Sequence, residues 1–166
     1  MTPARYLTWV PALGLALGLA CASAHAEINL AAYRDLDDCD AAMNLYASDI
    51  DICHCYVNLA ERERSWKQVV AHLQDRLVSE PDDPRLTYAL GLTDASRGDQ
   101  RAEQTLLQSA DLFAKLGDPA GEVQSLLSLF FLMRSVSPEA ADQALTRAEG
   151  VAETSGNTEL RTFVLY

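Results

Sequence analysis

Three glycines, each followed directly by a short polar residue, divide the second half of the chain at Gly98-Asp99, Gly117-Asp118 and Gly156-Asn157. Between these points the apolar residues recur at the spacing of amphipathic α-helices, and no stretch shows the strict alternation that is typical of a strand. Glycine commonly ends a helix because it adopts the left-handed backbone conformation at no steric cost. The chain is therefore predicted to be all-α, a series of helices joined by short turns.

Proline and serine residues predict where these helices begin. Pro84, Pro119 and Pro138 stand just inside helix starts, where a missing N–H costs nothing. Ser48 and Ser65 have the position of N-caps, each with an acidic or amide side chain three residues further on, as in a capping box. The predicted helices are 29–47, 50–64, 66–80, 84–97, 101–116, 120–136, 138–154 and a last one from residue 158.

The first 26 residues have the features of a secretory signal peptide. Arg5 supplies the positive start, and an uncharged, largely apolar stretch extends from Tyr6 to Ala26. Cleavage after Ala26 predicts a periplasmic or secreted protein with no stable membrane insertion. Two alternatives stay open: a permanent anchor, for which Pro11 and two glycines shorten the apolar run, and a lipoprotein cleaved before Cys21.

The charge of the chain excludes some classes of partner. There are 24 acidic and 13 basic residues, a formal net charge of −11. An acidic protein gains no counterion-release affinity for nucleic acid, and no cluster of basic residues with interleaved aromatic residues occurs. The charge therefore disfavours anionic lipid as a partner, and we expect no binding of nucleic acid. The acidity serves either solubility or the attraction of a basic partner.

Several residues resemble the pattern of the tetratricopeptide repeat (TPR) family. Leu90-Gly91 stands where the repeat favours a Leu-Gly pair in its first helix, and Ala110 where it favours a small residue in the second. Pro81 matches the closing proline of the preceding unit, and Ala141 and Ala148 are the small residues of the following one. The early Trp and the mid-helix Tyr of the family are largely replaced, so the chain resembles a divergent member.

The resemblance implies antiparallel helical hairpins stacked as a short right-handed solenoid. The implied units are an N-terminal capping helix at 27–49, repeats at 50–82, 83–118 and 119–157, and a partial unit at 158–166. The apolar Phe163-Val164-Leu165-Tyr166 segment either caps the stack or belongs to a longer array. We expect the longer array, and an uncovered apolar edge there would favour self-association.

Three cysteines remain beyond the signal peptide: Cys39, Cys53 and Cys55. Antiparallel packing of the helices on either side of the turn at 47–49 would bring Cys39 level with the other two, and export permits a disulfide. Such a bridge closes a loop of about 15 residues and raises the free energy of unfolding by about 3 kcal/mol. With His54 the thiols also offer zinc ligands, but neighbouring helical residues point about 100° apart. We predict a disulfide, with no metal or other cofactor; the third thiol is buried or pairs between molecules.

No spacing in the chain predicts catalysis. His72 lies among apolar residues and is interpreted as a packed helix side chain, and the acidic run from Asp35 to Asp40 as a solvated face. The chain has no G-x-S-x-G serine, phosphate-binding loop or H-E-x-x-H motif. We expect a protein that is not an enzyme and has no catalytic residues.

For function, the resemblance implies binding of a protein or peptide on a concave surface lined by the first helix of each unit. The expected role is an exported interaction scaffold, such as the sensory or adaptor part of a bacterial envelope signalling protein. The alternatives are the non-catalytic repeat region of a longer peptidase or nucleotide cyclase, and a thiol- or metal-binding protein. The lining candidates, chosen by helix position, are Tyr56, Arg62, Tyr88, Asp94, Ser125 and Phe130.

Overall fold

A computed structural model describes residues 29–165 of the chain. All regular structure in that range is helical, which confirms the all-α prediction. The α-helices are α1 (Leu36–Leu45), α2 (His54–Glu63), α3 (Trp66–Ser79), α4 (Pro84–Ser96), α5 (Ala102–Leu116), α6 (Pro119–Met133), α7 (Pro138–Thr154) and α8 (Thr158–Leu165), with 3₁₀ turns at Leu30–Ala32 and Ile50–Cys53. The predicted signal peptide and the alternative lipoprotein site lie outside the described residues. Within 29–165, no helix has the length and apolarity needed to cross a membrane.

The predicted proline and glycine signals are confirmed in this range. Pro84 and Pro119 occupy the first turns of α4 and α6, directly after the capping residues Asp83 and Asp118. The carboxylate of each of these two aspartates accepts hydrogen bonds from backbone N–H groups of the helix that follows. Gly117 ends α5 with φ 70°, the left-handed conformation that the sequence predicted.

Three local predictions are wrong. The first helix begins at Leu36 rather than at residue 29, because Asp35 is extended and its carboxylate accepts from the Asp38 N–H at 2.9 Å. The predicted cap at Ser48 is replaced by Asp49, whose carboxylate accepts from the Asp51 N–H at 3.0 Å. Ser65 makes no side-chain capping bond. An aspartate close to the helix start is an equally favoured cap, so a nearby serine is not needed.

The helices pack chiefly on their neighbours along the chain, most extensively α4 with α5, α5 with α6 and α6 with α7. Helices two apart also touch, namely α2 with α4, α4 with α6 and α6 with α8. Small residues permit this close approach: Ala110 and Ala148 are fully buried, and a methyl group on Gly121 would overlap the ring of Phe113. One hydrophobic core runs from α1 to α8.

Candidate functional site

Cys39 of α1 and Cys55 of α2 form a disulfide, with their Cα atoms 5.8 Å apart. This confirms the predicted bridge and selects Cys55 over Cys53. Cys53 is free and buried, its Sγ lies 3.5 Å from the carbonyl oxygen of Arg85, and burial raises the pKa of its thiol to about 12. Among residues 29–165, no group of three His, Cys, Asp or Glu side chains is placed to hold a metal ion.

Next to the disulfide, the carboxylate of Asp40 joins three helices. It accepts hydrogen bonds from the Tyr56 hydroxyl on α2 and from Arg76 Nη1 on α3, the latter at 2.9 Å. His72 Nε2 lies 3.0 Å from the same carboxylate. Partial burial alone would raise the pKa of Asp40, but the hydrogen bonds from Tyr56, His72 and Arg76 hold it below its usual value. Asp40 therefore belongs to a hydrogen-bonding network between helices. This corrects its interpretation as part of a solvated face.

Four of the six predicted lining residues lie inside the protein, which corrects their expected place on a concave surface. They are Tyr56, Tyr88, Asp94 and Ser125. The position of a residue on its own helix does not show whether neighbouring helices cover its side chain, and these four side chains are covered. A partner cannot reach them in the folded protein.

Tyr88 of α4 shows how this face is closed. Its hydroxyl shares a hydrogen bond of 2.8 Å with Ser128 Oγ of α6, and the ring of His54 meets its ring edge-on at 6.4 Å. Gln124 Nε2 of α6 lies 3.5 Å from the carboxylate of Asp51, which precedes α2. Burial raises the pKa of Tyr88 to about 12. Side chains from both flanking helices thus meet over α4.

The other two predicted lining residues are engaged near the surface. Arg62 is exposed, and its Nη2 donates to the carbonyl oxygen of Tyr33 at 2.9 Å. Phe130 is half-buried and packs edge-on against Phe131, with ring centroids 5.2 Å apart. The described structure does not bring either of them together with the four buried residues in an open site.

The open surface lies around the turn that joins α2 and α3. One cavity of about 550 Å³ extends from this turn to Leu36 and Asp37 at the start of α1. A second cavity of about 440 Å³ extends from the turn to Arg97, beyond the end of α4. Both are lined by Glu63, Ser65 and Gln68, so they lie side by side. We call the two together the turn groove.

The two ends of the turn groove differ in charge. Asp35 and Asp37 line the end next to α1 together with a single arginine, Arg34, whereas Arg64, Lys67 and Arg97 line the other end. No sequence pattern predicted this site. A usable signal is the close spacing of Arg64 and Lys67 in an acidic chain, but Arg97 joins these two residues only after folding.

These features define the described part of the chain as an all-helical protein that is cross-linked at its N-terminal end and has an open, charge-polarised groove. Comparison with models of known families, with curated proteins and with solved structures gives no match for this chain.

Proposed function

We propose that this protein is an exported, TPR-like scaffold that binds a protein or peptide partner. The observation that carries the proposal is the alternating contact of helices: α2 touches α4, α4 touches α6 and α6 touches α8. Stacked hairpins α2/α3, α4/α5 and α6/α7, with α8 opening a further unit, would produce this pattern. A right-handed solenoid of TPR-like units is the arrangement that we propose for it.

The turn groove is the proposed binding site. The face formed by α2, α4 and α6 is filled by the contacts around Tyr88, so it offers no opening there. The two cavities of the groove, about 550 and 440 Å³, are each of a size that accommodates several residues of a peptide or a small ligand. Leu36 and Leu59 supply apolar surface beside charged and polar side chains.

Export is supported by the Cys39–Cys55 disulfide, because such bonds persist mainly outside the reducing cytoplasm. Together with the signal peptide predicted for residues 1–26, it favours a periplasmic or secreted protein. We propose an adaptor or sensory role in envelope signalling. Self-association through α8 belongs to the same proposal, since Phe163 and Leu165 are exposed.

A random peptide display library, panned against the immobilised full-length chain, tests the binding function. We expect enriched sequences that bind the wild type and bind Gln68→Trp at least tenfold more weakly, because the indole would fill the centre of the turn groove. Gln143→Trp, on the exposed surface of α7, is the matched control and should bind as the wild type does. Circular dichroism of both variants checks that they remain folded.

Two results would contradict the proposal. One is a library that yields no sequence above background at low salt. The other is a folded Gln68→Trp variant that binds every enriched peptide as tightly as the wild type.

A further inference from the structure

Three chain segments bring cationic side chains into one cavity at one end of the turn groove. Arg64 follows α2 with a left-handed backbone (φ 52°), Lys67 lies in the first turn of α3, and Arg97 directly follows α4. This concentration of positive charge occurs in a protein whose formal net charge is −11. A local field opposite in sign to the whole molecule is the kind of feature that selects a ligand.

The positive charge is not neutralised within the cavity. Among the ion pairs found in the described residues, none involves Arg64 or Lys67. Glu63, the one acidic residue that lines this cavity, already pairs with Arg62 at 2.8 Å. Arg97 Nη1 is 3.7 Å from the buried carboxylate of Asp94, a long contact that leaves most of its hydrogen-bonding capacity free.

The start of α3 adds to this attraction. Ser65 precedes the helix, and its side chain does not cap it. The Gln68 N–H donates to the Ser65 carbonyl oxygen, so the first-turn N–H groups that find no acceptor among the described residues are those of Trp66 and Lys67. Uncapped N–H groups and the helix dipole both favour a negative group at this position. Ser65, Trp66 and Lys67 all line the cavity, which places the helix start next to the cationic side chains.

We infer that this end of the turn groove, which we call the cationic end, binds aspartate or glutamate side chains of an acidic peptide segment. The inference rests on the proposed peptide-binding function and names the chemistry of the partner. The adjoining cavity, where Leu36 and Leu59 lie beside Asp35 and Asp37, extends the site beyond the size of a single ion and so favours a peptide. Because that cavity carries carboxylates of its own, we expect the acidic side chains of the segment at the cationic end. The acidic remainder of the protein repels long polyanions and so favours a short acidic segment.

Tryptophan fluorescence provides the first test. Trp9→Phe in the full-length chain leaves Trp66, which lines the cationic end, as the only tryptophan. The probes are an acetylated, amidated glutamate hexapeptide, the matching glutamine hexapeptide and inorganic phosphate, each titrated at low salt. We expect saturable fluorescence change with the glutamate peptide, at least tenfold weaker binding of the glutamine peptide, and weakening of the glutamate complex by added salt.

Charge-removing variants provide the second test. We expect about two- to fivefold weaker binding of the glutamate peptide by each of three variants, Arg64→Asn, Lys67→Gln and Arg97→Gln. Asparagine is chosen at position 64 because it tolerates the left-handed backbone. The matched control is Arg134→Gln, an exposed arginine after α6 that lies over the ring of Phe131. It removes the same charge at a position that lines neither cavity of the turn groove, and it should leave the affinity unchanged. Circular dichroism confirms that each variant is folded.

Equal binding of the glutamate and glutamine peptides would overturn the inference. Phosphate binding as tight as that of the peptide would also overturn it, because it would indicate a site for free anions. Equal affinities of the three folded variants and the control for the glutamate peptide would overturn it as well. If the display library selects groove-binding peptides without an excess of Asp or Glu, the inference fails while the scaffold function stands. If the library selects nothing, the scaffold function itself fails.

Discussion

Asp40 accepts a hydrogen bond from Tyr56, and each of these residues directly follows one of the cysteines of the Cys39–Cys55 disulfide. A covalent and a polar link therefore join α1 and α2 at adjacent positions. Arg76 extends the polar link to α3. Because α1, α2 and α3 all contribute walls to the turn groove, the same contacts that stabilise this end of the fold also hold the groove in shape.

We expect Asp40→Asn to lower the free energy of unfolding at pH 7 by about 2 kcal/mol, because it removes the charge that several donors share. The folded-state pKa of Asp40 is lowered, so its stabilisation is complete above the unfolded value near 4 and is lost as the pH falls through the folded value. The difference between wild type and variant should therefore shrink below about pH 4. Urea unfolding followed by circular dichroism at several pH values measures it.

Asp37→Asn is the matched control for that experiment, because Asp37 is an exposed residue of the same helix. It should change the free energy of unfolding by less than about 0.5 kcal/mol. An Asp40→Asn variant as stable as the control at pH 7 would mean that the network contributes nothing to the fold.

The double substitution Cys39→Ala and Cys55→Ala removes the disulfide. It should lower the free energy of unfolding by about 3 kcal/mol, because the bond restricts a loop in the unfolded chain. The two cysteines are 16 residues apart, which sets the size of that loop. Denaturant unfolding with and without reductant measures the effect. Reductant should destabilise the wild type by a similar amount and leave the double variant unchanged; an equal effect on both would contradict the assignment.

Cys53 should resist alkylation in the native protein. Only a thiolate attacks iodoacetamide at an appreciable rate, and burial raises the pKa of this thiol to about 12. Mass spectrometry of the peptide that contains residue 53 should show almost no label at pH 8, and complete label after unfolding in guanidinium without reductant. Rapid labelling of the native protein would show that the thiol is accessible.

Local signals made the helices predictable, whereas contacts between helices did not follow from the sequence. Pro84 and Gly117 act within a few residues of their own position, so the helix boundaries near them were predicted correctly. The disulfide was predicted as a set of three cysteines, but the choice of Cys55 depends on how α2 is rotated about its axis. That rotation follows from the packing of the whole core.

The candidate site was less predictable for the same reason. Tyr88 has the helix position of a lining residue, yet α2 and α6 cover it. Arg97 is distant in sequence from Arg64 and Lys67, and it lines the same cavity only because α4 packs against α2 and α3. A pattern within one helix carries no information about such a meeting of separate segments.

Gly121 and Gly150 offer a paired test of the packing between α5 and α6. A methyl group on Gly121 would overlap the ring of Phe113, which is buried and cannot move aside freely, whereas a methyl group on Gly150 in α7 would contact nothing within 4 Å. Gly121→Ala should therefore lower the free energy of unfolding by about 1–3 kcal/mol. Gly150→Ala should raise it by up to about 1 kcal/mol, because alanine favours the helix. Urea unfolding of the two variants measures both values, and stabilisation of similar size in both would contradict the close contact of Gly121 with Phe113.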